Sequence, residues 1–189
     1  KMSEEEFLAS FQRSLARTPL SERDFTASSE KGTVALSGYY RTYEASMSAP
    51  LRTEMRVGGV MLETGALASS IESGGEGGPP AIELVGVLDK VELLVPGGEA
   101  VLVTDYKTGR PRSRNDIEGK TRSSQGEYKR QLVFYKLLLD RFEQGRFRMG
   151  AGEIDFVQPD QRGRYHRERF EITLEEVAAH TADGWIALH

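Results

Sequence analysis

The chain has 189 residues, 38% hydrophobic and 29% charged, with a formal net charge of −4 at pH 7. That suits one globular domain with a substantial core and argues against a generally basic coat for nucleic acid. It holds no cysteine, which excludes disulfides, thiolate catalysis and cysteine metal sites and fits a reducing, cytoplasmic setting. No run approaches the ~18 apolar residues that crossing a bilayer needs, so no membrane partner is expected.

Ser3-Glu-Glu-Glu6 has the form of a capping box, followed by Phe7, Leu8, Phe11 and Leu15 at helical spacing. A second helix is expected from about Ser29 to Ser48, with Tyr39, Tyr40 and Tyr43 on one side and Pro50 as its stop. Thr53 to Glu63 reads as a strand. Gly65 to Pro80, rich in Gly, Ser and Pro, reads as a flexible hairpin loop. Ala81 to Val95 is a long strand, Pro96-Gly-Gly98 a turn, and Ala100 to Lys107 the partner strand. Ile82, Leu84 and Leu88 on one face of the first strand, with Val85, Val87 and Val91 on the other, predict a central strand covered on both sides.

Gly109 to Gly126 is polar and basic and is expected to be mobile. Glu127 to Glu143 is a strong helix, with Tyr128, Leu132, Tyr135, Leu139 and Phe142 on one stripe. Ala151 to Gln158 and Arg164 to Ile172 read as strands. Thr173-Leu-Glu-Glu176 is a second capping box, opening a helix through Trp185, which is expected in the core. The order α, α, β, β, β, α, β, β, α, without an internal repeat, predicts an α/β fold: a mixed central β-sheet flanked by helices, in one domain.

Two segments carry chemistry: Gly86-Val-Leu-Asp89 and Val103-Thr-Asp105-Tyr-Lys107-Thr-Gly109. Alternation points Asp105 and Lys107 the same way, continuing the line of Val101 and Val103, while Asp89 continues that of Val85 and Val87. Paired as a hairpin, the strands bring Asp89 and Asp105 together where the chains leave the sheet. Two facing carboxylates repel unless a cation lies between them. Mg²⁺ takes oxygen ligands and keeps several waters, so two carboxylates and the carbonyl of Tyr106 suffice. Lys107 beside them can orient or help deprotonate a water, or stabilise charge on a phosphate. The alternative for Lys107 is a surface ion pair with either aspartate.

Gly86-Val-Leu-Asp89-Lys-Val, then Val101-Leu-Val-Thr-Asp105-Tyr-Lys107-Thr-Gly, then Gln131-Leu-Val-Phe-Tyr135 resemble the RecB-like nuclease domain of the PD-(D/E)XK superfamily, from about Arg52 to Leu139. The resemblance implies a restriction-endonuclease-like core and Mg²⁺- or Mn²⁺-dependent cleavage of single- or double-stranded DNA in repair or recombination, with endonuclease and exonuclease modes both open. It casts Asp89 and Asp105 as metal ligands and Lys107 as the catalytic lysine. Gln131 and Tyr135 match a Gln-x-x-x-Tyr motif near the metal and the DNA end. On helix geometry alone they share a face, and core packing explains Tyr135 equally well.

Such domains often follow a UvrD-like helicase or partner one. The chain is accordingly expected to be one nuclease domain, 1–189, cut from a larger helicase–nuclease: a helical part at 1–50, the nuclease core at 51–160, and a closing strand and helix at 161–189. The family usually carries a histidine on a helix upstream of these strands, and no histidine precedes His166 here. Its iron–sulfur variants need four cysteines, so no cluster is expected. The alternative reading is a catalytically silent module that binds DNA or docks on a helicase.

Between Asp105 and Arg130 eight basic residues face four acidic ones, a local excess in an acidic chain. Arg110, Arg112, Arg114, Lys120 and Arg122 are expected to track a phosphate backbone; a solvated loop with scattered arginines is the plainer reading. Glu54, on the strand before Asp89, is a candidate supporting acid, although an exposed strand glutamate is commoner. Glu118-Gly-Lys-Thr121 lacks the upstream glycine of a P-loop, whose place Arg114 takes. His166, His180 and His189 lack partners at metal-ligand spacing and are expected on the surface.

Overall fold

A computed structural model describes residues 2–63 and 81–182. The expected loop at Gly65–Pro80, the helix end at Trp185 and His189 lie outside the described residues. The chain divides into two compact units. The first takes in the chain up to Ser48 with Tyr106–Pro111 and Asp155–Arg167; the second takes in Ala49–Asp105, Arg112–Ile154 and the chain from Glu168.

In the first unit α1 (Glu4–Leu15) starts at the expected capping box: Glu6 N donates to Ser3 Oγ at 3.2 Å, and Ser3 N to Glu6 Oε2 at 2.7 Å. It buries no residue fully, but Phe7 lies against Tyr40 of α2 (Glu22–Tyr43), ring centroids 5.5 Å apart, the Phe11 ring sits over Gly32, and polar contacts add to these. Gln12 Nε2 donates to Thr33 Oγ1 at 2.8 Å, and Arg41 Nη2 lies 2.8 Å from Glu4 Oε1. Helix α2 begins seven residues before the expected Ser29, because Ser21 Oγ accepts from Asp24 N and supplies the cap. It ends at Tyr43, before Pro50 is reached, in a 3-10 turn over Glu44–Ser46. Of the three tyrosines, Tyr39 and Tyr40 are buried and Tyr43 is half-buried.

The second unit carries most of the sheet. Strands β1 (Arg52–Glu63) and β2 (Ala81–Leu93) pair antiparallel, with a register shift between Val57 and Val60 where Gly59 takes φ +71°. Strand β3 (Ala100–Lys107) keeps its expected bounds and pairs antiparallel with β2 from Lys90↔Thr104 to Leu93↔Val101. Strands β4 (Arg148–Phe156) and β5 (His166–Phe170) complete the order β1-β2-β3-β4-β5. Arg148 N donates to Glu99 O and Val157 N to Lys107 O, so β4 runs parallel to β3. The sheet is therefore mixed, and the α/β expectation holds.

Helix α4 (Glu127–Leu139) links β3 to β4 and buries Leu132, Val133, Tyr135, Leu137, Leu138 and Leu139. It stops four residues before the expected Glu143, because Glu143 and Gln144 adopt left-handed backbone in a 3-10 turn. Phe142 therefore leaves the stripe. Helix α5 (Leu174–Ala182) opens on the expected box, with Glu176 N donating to Thr173 Oγ1 at 3.1 Å and Thr173 N to Glu176 Oε2 at 2.9 Å.

Two expectations are corrected here. Strand β2 is central, but its cover varies along its length: Leu84 and Leu88 on one face and Val91 on the other are buried, as expected near the motif, whereas Ile82 on the first face and Val85 and Val87 on the second are 39%, 64% and 38% exposed. Helix α4 lies against the Gly86 side, where Leu138 Cδ1 sits 2.6 Å from the place a Cβ would occupy. Only glycine allows that approach, which gives the first residue of the Gly-x-x-Asp segment a packing reason. Nor is 109–126 simply a loop. Ser113 and Asp116 form a capping box over the short helix α3 (Arg114–Ile117), Ile117 is buried, and Thr121 Oγ1 donates to Asp116 Oδ1 at 2.6 Å.

Candidate active site

Asp89 precedes Lys90 in β2 and Asp105 follows Thr104 in β3, and Lys90 pairs with Thr104. Antiparallel register therefore brings the two aspartates to one level of the sheet. Asp105 is only 2% exposed, whereas Asp89 is partly open. A buried carboxylate needs donors, and α4 supplies one. Tyr135 OH donates to Asp105 Oδ1 at 3.0 Å, and Gln131 Nε2 donates to Tyr135 OH at 2.6 Å. The amide, phenol and carboxylate form a directed chain, since an amide N–H can only donate and an ionised carboxylate only accept.

Burial pushes the Tyr135 phenol well above its ordinary value; the Asp105 charge and its hydrogen bond add to this, the Gln131 bond opposes it, and Asp89 contributes further. The phenol therefore stays protonated and donating. The second unit thus brings together Asp89, Asp105, Gln131 and Tyr135, two from strands and two from one helix face.

Lys107 ends β3, two residues after Asp105, and is partly buried, as is Tyr106 between them. Glu54 lies in β1 between Thr53, which pairs with Lys90, and Met55, which pairs with Leu88. It is therefore level with Asp89. Its backbone takes φ +47°, a strained conformation for a side chain with a Cβ.

The basic stretch is more engaged than its sequence suggests. Arg114 Nη1 donates to Glu168 Oε2 at 3.0 Å and to Arg169 O at 3.1 Å, and its guanidinium lies 4.2 Å over Phe170. Arg112 pairs with Glu127 at 3.5 Å over the Tyr128 ring, and Lys120 pairs with Glu118 at 2.7 Å. Arg110 and Arg122 are exposed. His166 is not a plain surface residue: its Nε2 lies 2.9 Å from Asp160 Oδ2. His180 Nδ1 lies 2.8 Å from Glu176 O and must be the donor, because a carbonyl only accepts.

Sequence reasoning missed a buried carboxylate in the first unit, Asp155, bound by Tyr39 and Arg167. An aspartate inside the apolar run Ile154-Asp155-Phe156 was the available signal.

Two neighbouring central strands thus carry carboxylates at one level, one of them bound by a helix Gln–Tyr pair. The sequence matches the family model of the PD-(D/E)XK nuclease superfamily over residues 1–187, and the chain belongs to that superfamily. Members are generally metal-dependent nucleases, and the fold implies DNA as substrate. Among solved structures, one titled "Crystal structure of SSO0001" is 16% identical, covering 100% of this chain and 87% of that one with a TM-score of 0.40. The curated proteins give no match.

The residues present can be tested against the divalent cation such enzymes use. Among the described residues no group of three or more His, Cys, Asp or Glu is placed to hold a metal. Two carboxylates are present at one level, however, and Mg²⁺ typically takes one or two carboxylates with water completing its shell. The donor chemistry therefore fits a hard, water-rich cation and not a soft one. No helix in the described residues is long and apolar enough to cross a membrane.

Proposed function

We propose that this chain is a Mg²⁺- or Mn²⁺-dependent deoxyribonuclease of the RecB-like kind, acting in DNA repair or recombination alongside a UvrD-like helicase. The observation that carries the reading is the Gln131–Tyr135–Asp105 chain beside Asp89. Core packing alone would bury Tyr135 without aiming its hydroxyl at a buried carboxylate.

Asp89, Asp105 and the Tyr106 carbonyl would hold the metal, which when bound supplies Lewis acidity and an activated water. The chain's own groups do the rest. Tyr135 donates to one oxygen of Asp105, which would leave the other for the cation. Gln131 fixes the phenol's direction. Lys107 stabilises the charge that grows on the phosphate as the bond to the leaving oxygen breaks. Arg110 and Arg122 bind backbone phosphates, with Arg112, Arg114 and Lys120 contributing to the same positive field. Glu54 supports Asp89 from the neighbouring strand.

The test is cleavage of end-labelled single- and double-stranded DNA with Mn²⁺, beside a Lys107→Ala control. Products from the wild type that vanish in the control support the reading and give the strand preference. DNA retention without cleavage in either protein returns the silent binding module.

A further inference from the structure

The first unit holds an ionic cluster that the proposed chemistry does not use. Asp155 in β4 is fully buried, at 0% exposure. Its Oδ2 accepts from Tyr39 OH at 2.5 Å and from Arg167 Nε at 2.8 Å, with Arg167 Nη2 at 2.7 Å. The same Nη2 donates to Tyr39 OH at 2.9 Å, and the guanidinium lies 3.9 Å over the Tyr43 ring. Asp155 Oδ1 is buried with no hydrogen-bond partner among the described residues. Such a cluster is a poor device for stability, because desolvating both ions offsets their attraction and an orphaned oxygen adds to the cost. What it supplies is geometry. A planar fork against a carboxylate admits few arrangements, so α2, β4 and β5 are locked at one point.

The backbone next to that point carries Lys107. Tyr106–Pro111 belongs to the same unit. Val157 N, two residues beyond Asp155, donates to Lys107 O at 3.1 Å, and Gln158 Nε2 donates to Thr108 O. Burial, then the Asp155 carboxylate, push the Tyr39 phenol far up, and Tyr106 adds to the rise.

We propose that Tyr39, Asp155 and Arg167 are positioning residues for Lys107. They fix the end of β4, and through the Val157 and Gln158 bonds they fix the backbone from which the lysine projects. The role rests on the reading of Lys107 as the catalytic lysine.

The experiment compares the whole chain with its Tyr39→Phe variant, which keeps the ring and the ion pair and removes one hydroxyl. Amide exchange in the segments 106–111 and 155–160 should quicken about tenfold, with α1 and α4 unchanged. With DNA and Mn²⁺, kcat should fall about tenfold or more at constant KM. Arg167→Lys, which keeps the charge and loses the fork, should reproduce the pattern. Faster exchange throughout the first unit, with cleavage tracking only the folded fraction, would mean a merely structural cluster and overturn the proposal. So would unchanged exchange and unchanged kcat. If the wild type cleaves no DNA, the nuclease reading fails, and the exchange comparison alone decides whether the cluster holds this segment.

Discussion

The phenol of Tyr135 donates to Asp105 Oδ1 at 3.0 Å, joining a helix to a strand across 30 positions of sequence. It is the contact on which the site's geometry turns. Partners that orient a metal ligand typically matter about 10–100-fold in metal affinity or activity. If Asp105 ligates the metal as proposed, Tyr135→Phe raises the Mn²⁺ concentration for half-maximal cleavage by about that factor while the circular dichroism stays that of the wild type. Because the phenol's folded pKa is raised, its contribution is complete below the ordinary tyrosine value of about 10 and is lost as pH rises through the folded one. The ratio of wild-type to variant activity should accordingly be flat across the neutral range. A ratio that changes steeply near neutrality would contradict this account.

Gly86 should resist substitution for a steric reason. A Cβ there would meet Leu138 Cδ1 at 2.6 Å, so Gly86→Ala must displace either that side chain or α4. Overpacking of this kind costs about 1–3 kcal/mol. Since α4 also carries Gln131 and Tyr135, activity should fall by more than the loss of folded protein explains. Urea titration and specific activity, measured together, separate the two effects.

Glu54 offers the opposite combination. Its φ of +47° costs a residue with a Cβ about 1–2 kcal/mol. Glu54→Gly should raise the melting temperature, since glycine enters that region freely. If the acid supports Asp89, the same variant loses cleavage. A variant that is both more stable and fully active would reduce Glu54 to an exposed strand residue.

Asp160 makes the stability of its turn depend on pH. Backbone N–H donation from Arg164, then His166, hold its carboxyl well below the usual range, with Arg162 N and the Arg164 side chain adding to the effect. A depressed folded pKa stabilises the native state above the unfolded value of about 3.9, and the benefit fades as pH falls from there toward the folded one. The melting temperatures of wild type and Asp160→Asn should differ most near neutral pH and converge on acidification. A gap that widens on acidification would reverse the sign and reject the assignment.

Local patterns in the chain were enough to place several elements. Both outer capping boxes stand where Ser3 and Thr173 put them, and β3 runs from Ala100 to Lys107, because apolar alternation and helix caps depend on near neighbours. The Gly-x-x-Asp, Asp-x-Lys and Gln-x-x-x-Tyr segments were legible too, and the superfamily with them. Meetings between distant residues became visible only in the folded chain. The Gly86 packing depends on a helix some fifty positions away, and Ile117 is buried on a short helix within what reads as a mobile loop. The engagement of Arg112 and Arg114 depends on rings and acids brought by α4 and β5. Asp155 reads as an oddity in an apolar strand until Tyr39, 116 positions earlier, is folded against it. Periodicity reports which face a residue takes; it carries no information about what that face will meet.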